Sequence, residues 1–257
     1  MLNTAEERHE KILELLGEKG FLDVQTLAEQ LGVSGATMRR DLGELDEAGR
    51  LRRTHGGAVS VTQVGQDPAN AVRAVSRQAE KAAIATVAAG MIADGDTVLL
   101  DAGTTSLAVA RLLGGRKGLT FISNGADILA ELIRAEAERV YAVGGEYAAI
   151  NRSFRGALAE SFIRQFHVDK LILNAAAIDF DRGLIFTGSP ANAGVQRAMI
   201  EVARRVIVVA DHSKLAKSSF SVTAGIEDVG VIVTDAGART ILDAAPEALR
   251  KKFAIAT

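Results

Sequence analysis

The stretch VSGATMRRDLGELDEAGRLRRTHGGA, Val33 to Ala58, carries five arginines and a histidine among several acids. It reads either as a solvated surface helix followed by a loop or as the part of the chain that touches DNA. The residues before it narrow the choice. Ile12, Leu13 and Leu16 predict an apolar stripe on a helix over Thr4 to Glu18, stopped at Gly20. Val24, Leu27, Ala28 and Leu31 follow the i, i+3, i+4, i+7 pattern of a second short helix, ended by Gly32 as a left-handed cap.

Ser34 then caps a third helix, with Val33 and Met38 spaced as a hydrophobic staple. Met38, Leu42 and Leu45 share one face, while Ala36, Arg40 and Gly43 point the other way with Arg39 on the flank. Small residues on that outward face permit close approach to a partner. Two short helices joined by a tight turn, the second presenting arginines, fit a helix-turn-helix. After Gly49, Leu51, Thr54 and Gly56-Gly57 read as a small hairpin, or wing, from which Arg52, Arg53 and His55 reach phosphates or the minor groove. Residues 1–58 hold 8 Lys/Arg and 11 Asp/Glu, a net −3. Nucleic-acid binding needs a local field rather than a basic average. The acids gather in the first helix and the arginines in the third helix and wing, so the solvated-face and DNA readings both stand on spacing alone.

Ser60 to Asn70 has no periodicity and includes Pro68, so the chain divides into a domain over 1–58, a linker over 59–72 and a larger domain over 73–257. In the larger part, helical patterns (77–92, to 113, to 135, 157–165, 193–204) alternate with apolar strands in TVLLDAGTTS, LTFIS, RVYAVGG, KLILNAAAI and VIVVADHSK, and VIVTD reads as the last strand. That alternation predicts an α/β domain with a mostly parallel sheet, whose ligands bind at the C-terminal strand ends. Asp101-Ala102-Gly103-Thr104-Thr105 leaves one strand and opens a helix, offering hydroxyls and free amides suited to a phosphate; the alternative is a well-capped turn. Asn124-Gly125, Gly144-Gly145 and Asp211-His212-Ser213-Lys214 end three other strands, and Lys214 either pairs with an anion or is solvated. The apolar Ile241–Ala256 region reads as an assembly element or a core-packed helix.

The chain has 257 residues, 48% hydrophobic and 24% charged, with a net charge of −2. The absence of cysteine excludes disulfides, cysteine-ligated zinc and thiol nucleophiles. His9, His55, His167 and His212 lack ligand-like spacing, so no metal is expected, and no cofactor. With neither a secretory leader nor a run of about 18 apolar residues, the expected compartment is the cytoplasm.

Residues 1–58 resemble the N-terminal domain of the DeoR family of bacterial transcriptional regulators. The resemblance rests on Arg8, Ile12 and Leu16, then Ser34, Thr37, Met38, Arg39, Arg40, Asp41 and Leu42, and on the wing Arg53-Thr54-His55-Gly56-Gly57-Ala58. It implies a winged helix-turn-helix with the Ser34 helix in the major groove, and Ser34, Thr37 and Arg40 in contact there. Asp41 either orients Arg39 or Arg40 or forms an intrahelical ion pair. The resemblance continues over essentially the whole chain. Asp101 to Thr105, Asn124, Gly144-Gly145 and Asp211 to Lys214 match the family's effector domain, which is similar to a sugar-phosphate isomerase. It implies a phosphorylated sugar or related metabolite bound by Asp101, Gly103, Thr104, Thr105, Asn124, Gly144, Gly145, Asp179 and Lys214, and coupled to DNA affinity.

Two departures stand out. Family members often carry GADGID where Asn174 to Asp179 read NAAAID, so only Asp179 remains of the acids. The next helix reads Asn192-Ala193-Gly194-Val195-Gln196-Arg197-Ala198-Met199, without the usual Glu and with Gln196 in place of the Lys before Arg-Ala-Met. The anion end of the ligand site is therefore expected to be kept and the sugar end altered. The reading is a DNA-binding regulator, a repressor by family expectation, binding operator DNA as a homodimer or homotetramer. The alternative is a sugar-phosphate isomerase-type enzyme with an accessory DNA-binding domain, drafting Asp101 and Lys214 as catalytic groups.

Overall fold

Ile12 and Leu16 lie buried on one stripe of α1 (Ala5–Lys19), the register expected from their spacing. In the computed structural model, residues 5–19, 21–48, 50–53, 57–60 and 70–257 are described, and the chain forms two compact units, Met1–Pro68 and Ala69–Thr257. After α1 come β1 (Phe21–Asp23), α2 (Val24–Leu31), α3 (Gly35–Glu47), β2 (Leu51–Arg53) and β3 (Gly57–Ser60). Asp23 caps α2 by accepting from the Thr26 amide. Gly32 ends it at φ +67°, where the Val33 amide reaches back to the Ala28 carbonyl. Ser34 caps α3, its Oγ accepting from the Thr37 amide at 3.1 Å.

Met38, Leu42 and Leu45 pack with Ile12, Leu16, Leu27 and Leu51 into one core, each side chain contributing about 2 kcal/mol by burial. The wing is a hairpin of β2 and β3, and β1, which periodicity did not reveal, completes an antiparallel sheet in the order β1-β3-β2. Gly57 is obligatory in that sheet, because a Cβ there would sit 2.2 Å from the Leu22 carbonyl oxygen. His55 lies outside the described residues, as do Gly20, Gly49, Thr54, Gly56 and 61–69; for Arg52 and Arg53 only the backbone is described.

Asp41 does not do what its neighbours in sequence suggested. It is buried at 3% exposure and receives Arg8 in a two-point pair, Nε to Oδ2 and Nη2 to Oδ1, both at 2.9 Å. His9 Nε2 stands 3.4 Å from the same carboxylate. Burial opposes ionisation of Asp41, but the Arg8 bonds outweigh it and hold the carboxyl below its usual value. Arg40 pairs instead with Glu44 at 3.1 Å on the open side of α3. Asp41 thus ties α3 to α1 and turns away from the arginine face.

The second unit opens with α4 (Asn70–Val75), α5 (Gln78–Gly90), β4 (Thr97–Leu100), α6 (Thr104–Leu113), β5 (Thr120–Ser123), α7 (Ala126–Arg134) and β6 (Arg139–Ala142). A hairpin of β7 (Glu146–Ala148) and β8 (Ser153–Arg155) leads to α8 (Ala157–Ile163) and β9 (Val168–Asn174). Next are β10 (Ala177–Asp179), β11 (Leu184–Thr187), α9 (Pro190–Val202), β12 (Ala203–Val209) and β13 (Ser221–Gly225). The chain ends with β14 (Val231–Asp235), α10 (Arg239–Asp243), α11 (Glu247–Arg250) and β15 (Phe253–Ala256). Helix α9 starts earlier than its apolar pattern because Ser189 caps it and Pro190 occupies its first turn. Asn70 and Ser60 already lie in regular structure, at the two ends of the segment read as linker.

Seven strands form one parallel sheet in the order β15-β14-β12-β9-β4-β5-β6. Leu99 and Val208 face a core built with α8 and α9, while Leu100 and Ile207 face a second core built with α5, α6 and α7. β10, β11 and β13 form a separate antiparallel sheet. The C-terminal region is two short helices and an added parallel strand beside β14, in place of one core-packed helix, and β15 rather than VIVTD is the last strand. No helix among the described residues is long and apolar enough to cross a membrane.

The two ion pairs of α3 predict opposite outcomes. Asp41→Ala strands a part-buried guanidinium and is expected to destabilise the first unit by about 2 kcal/mol, read as faster hydrogen exchange of α3 amides. Glu44→Ala removes the exposed Arg40 pair and a 3.8 Å approach to His9, and is expected to change stability by less than about 0.5 kcal/mol.

Candidate functional site

The outward face of α3 presents Arg39 and Arg40, the latter with 82% of its side chain exposed. Ser34 and Thr37 stand at the start of the same helix, joined by a 2.9 Å contact between their hydroxyls. The core residues Met38, Leu42 and Leu45 of α3 therefore face inward, while its N-cap Ser34 and its cations Arg39 and Arg40 are exposed.

In the second unit the strand order reverses at β4. From there the chain runs outward through β5 and β6, then returns to β9 on the other side and continues to β12, β14 and β15. A crevice opens at such a point because the loops after the two central strands depart in opposite directions. Asp101 follows β4 and Asn174 ends β9, and the two meet there. The Asp101 carboxylate accepts from the Asn174 amide nitrogen at 3.1 Å and from Gln196 Nε2 of α9 at 2.8 Å. Asn174 Nδ2 donates to the Asp101 carbonyl at 3.0 Å and to Ser106 Oγ at 2.7 Å. Gln196 Oε1 accepts from Thr223 of β13 at 2.8 Å. Gly103 is required by this arrangement, since a Cβ would lie 2.5 Å from the Asn174 side chain.

These partners are amides, and they do not compensate fully for burial. Desolvation pushes the Asp101 carboxyl up to about 6, against the bonds from Gln196 and Asn174 that lower it. Asn124 joins the neighbouring loops, accepting from the Ala102 amide at 2.9 Å and donating to the Phe154 carbonyl at 3.2 Å. Thr105 is buried, whereas Thr104 reaches the surface of a cleft of about 560 Å³ between α5 and α6. Lys81 and Arg111 also line that cleft.

A basic cluster stands at the end of β12. Arg77 Nε lies 3.4 Å from Asp211, and Arg77 Nη1 lies 3.4 Å from His212 Nε2. The His212 ring meets Asp235 at 2.7 Å through Nδ1, so with Arg77 donating to Nε2 the proton sits on Nδ1. Lys81 is buried, and its ammonium donates to the Ser76 carbonyl at 2.7 Å and to the Arg73 carbonyl. Burial lowers its pKa; Asp211 opposes this, while Lys214, Arg73 and Arg77 push it further down. Lys81 thus feels three further cations, Lys214, Arg73 and Arg77, together with the acid Asp211. Arg77 holds its place at φ +49°, a conformation non-glycine residues rarely adopt.

Gly144 and Gly145 serve the turn after β6, where a Cβ on Gly145 would stand 2.6 Å from the Arg155 carbonyl oxygen. Asp179 lies in the separate sheet. Its oxygens accept from the Asp181 and Arg182 amides and from Ser218 Oγ, which makes it the cap of a turn. Lys214 sits in a 3-10 turn beside the basic cluster.

The family description "DeoR-like helix-turn-helix domain" matches residues 8–64, and "DeoR C terminal sensor domain" matches residues 76–236. A protein named transcriptional repressor AccR, from Agrobacterium fabrum, is 67% identical over 256 residues, spanning 100% of this chain and 99% of the relative. The chain belongs to the DeoR family. Another relative, the glycerol-3-phosphate regulon repressor of Escherichia coli, is 34% identical over 90% of each chain. Among solved structures, ribose 5-phosphate isomerase A from Methanocaldococcus jannaschii aligns over 55% of each chain at 17% identity and a TM-score of 0.42.

As a DeoR-family chain, the protein is a transcriptional regulator rather than an isomerase. Several residues of its sensor unit escaped sequence reasoning. Gln196, which departs from the family pattern, is the side chain that reaches Asp101 from α9. Lys81 was hidden as one lysine within a helix of small residues, KAAIATVAAG. Arg77 and Asn174 carried no motif of their own.

The raised Asp101 value sets a pH signature. The folded carboxyl titrates near 6 and the unfolded one near 3.8, so the stability tied to its neutral form is full below about 4 and lost as pH rises through 6. The sensor unit is expected to lose up to about 3 kcal/mol across that window. Asp101→Asn is expected to flatten it, as followed by urea denaturation at pH 4 to 7.

Proposed function

We propose that the protein is a repressor whose grip on operator DNA is set by a phosphorylated sugar or related polyol phosphate bound to its second unit. In this reading residues 1–58 bind DNA and the second unit, Ala69–Thr257, senses, with α4 inside the sensing unit rather than in the 59–72 linker expected from sequence. The observation that carries it is Lys81, which shares one cleft with Thr104 at the opening of α6 and feels the further cations Lys214, Arg73 and Arg77. Free helix amides and clustered cations together favour an oxyanion. Asp101, Thr105 and Asn124 hold the loops in place, and Thr104 and Lys214 are assigned to the ligand. Gly103, Gly144 and Gly145 act through backbone approach, and Asp179 shapes the adjoining turn. The name of the Escherichia coli relative, a glycerol-3-phosphate regulon repressor, agrees with a phosphorylated polyol.

On the DNA side, Ser34, Thr37, Arg39 and Arg40 are assigned to the major groove, and Arg52, Arg53 and His55 to phosphates or the minor groove. Two half-sites multiply affinity, so a homodimer or homotetramer is the expected binding form.

Two experiments test the reading. Arg40→Ala is expected to reduce discrimination between operator and random DNA by about 1–3 kcal/mol, whereas Arg53→Ala weakens both and reduces the salt slope by about one unit. Equal losses on both DNAs for Arg40→Ala contradict base reading. For the sensor, ribose 5-phosphate or glycerol 3-phosphate at millimolar concentration is expected to raise the melting temperature, and Lys214→Ala to reduce that shift. No shift from either compound contradicts the effector assignment.

A further inference from the structure

Asn70 is the first residue of α4 and is 8% exposed. Its amide nitrogen donates to Asp127 Oδ2 at 3.0 Å, and its backbone N–H to the Ile150 carbonyl at 2.9 Å. Its side-chain oxygen, Oδ1, is buried with no donor among the described residues. A buried acceptor left unsatisfied costs about 1–3 kcal/mol, so such an atom marks a place where a donor belongs. Asn70 lines a small cavity with Gly103, Thr104, Gly125 and Arg152, with room for one water-sized group (about 10 Å³). The cavity lies at the N-termini of both α6 and α7. Thr104 and Leu107 form walls both of this cavity and of the larger cleft that holds Lys81.

We propose that Asn70 is an effector-binding residue: its Oδ1 accepts a hydroxyl of the phosphorylated polyol whose phosphate sits by Lys81 and Thr104. The inference rests on the effector reading above and adds the hydroxyl subsite to it. One molecule spans the two spaces across Thr104, with its oxyanion at the cations and a hydroxyl at Asn70. Arg73 of the same helix donates to Asn151 Oδ1 at 2.9 Å, and Asp127 receives Arg152 at 2.7 Å, so the subsite is braced by α4, α7 and the 149–152 turn. Because α4 begins the second unit, the residue that reads the hydroxyl also lies where the covalent path from the DNA-binding unit enters. Ligand bound there favours one docked arrangement of α4, and linkage returns the same factor to DNA affinity.

Isothermal calorimetry on the full chain tests this with ribose 5-phosphate, glycerol 3-phosphate and inorganic phosphate. Asn70→Ala is expected to lower the ratio of polyol-phosphate to inorganic-phosphate affinity about tenfold, and to raise by the same factor the ribose 5-phosphate needed to release operator DNA. Arg134→Ala, at an exposed position of α7 that lines neither space, is expected to hold the ratio within threefold. Asn70→Ser replaces the alanine variant if that variant lacks a cooperative melt. An unchanged ratio in Asn70→Ala, or an equal fall in Arg134→Ala, overturns the Asn70 assignment while leaving the effector reading intact. Failure of the unaltered chain to bind any of the three overturns the effector reading and this inference with it.

Discussion

A buried carboxyl held by amides at the centre of a parallel sheet is the constraint on which the sensor unit depends. Asp101 sits where the strand order reverses, and its partners come from β9 and α9. Asn174 locks the crevice by bonding the carbonyl and carboxylate of Asp101 and the hydroxyl of Ser106. Gln196 closes the cluster and passes it on to Thr223. Every bond in this group reaches between elements distant in sequence, so the crevice forms only when the whole sheet has formed. Networks of this kind rigidify a site when all members are satisfied. Burial of Asp101 is opposed only by neutral donors, chiefly Gln196 and Asn174, so its titration rises toward neutrality.

The DNA-binding unit uses the same device in a different chemistry. Arg8 and Asp41 form a two-point pair behind α3, and Arg39 and Arg40 are left on the open face. A helix that presents cations to a polyanion must be anchored from behind, or the approach that brings contact also displaces it. Apolar burial of Met38, Leu42 and Leu45 fixes its depth, and the directional pair fixes its rotation about its own axis. Both units therefore keep a buried acid behind the surface proposed to do the reading.

Local physics made much of this legible. Gly32, Ser34, Val33 and Met38 announced the turn and the start of α3, because caps and staples depend on residues only a few positions apart. The apolar runs at 97–100, 120–123 and 206–209 announced parallel strands, because a strand covered on both faces reads as continuous hydrophobicity. What escaped were pairings set by distant chain. Asp41 looked like a partner for Arg39 or Arg40, but the competing guanidinium lay 33 residues away. β1, β7, β8 and β10 are three residues each, too short for any period to register. Asp179, read as a ligand-binding acid from its place in NAAAID, also caps the turn that follows β10, a role the motif did not reveal. Asn70 fell in a stretch read as linker, where no pattern singled it out.

Occupancy of the cation-lined cleft between α5 and α6 is proposed to govern DNA binding. Fluorescence anisotropy tests it most directly, with DNA from immediately upstream of the protein's own gene cluster, titrated with the full chain at several salt concentrations. Each titration is run with and without ribose 5-phosphate and glycerol 3-phosphate. The account predicts tight, salt-dependent binding that a phosphorylated polyol releases. Binding no stronger than to random DNA at low salt, or specific binding that neither compound changes, would contradict it.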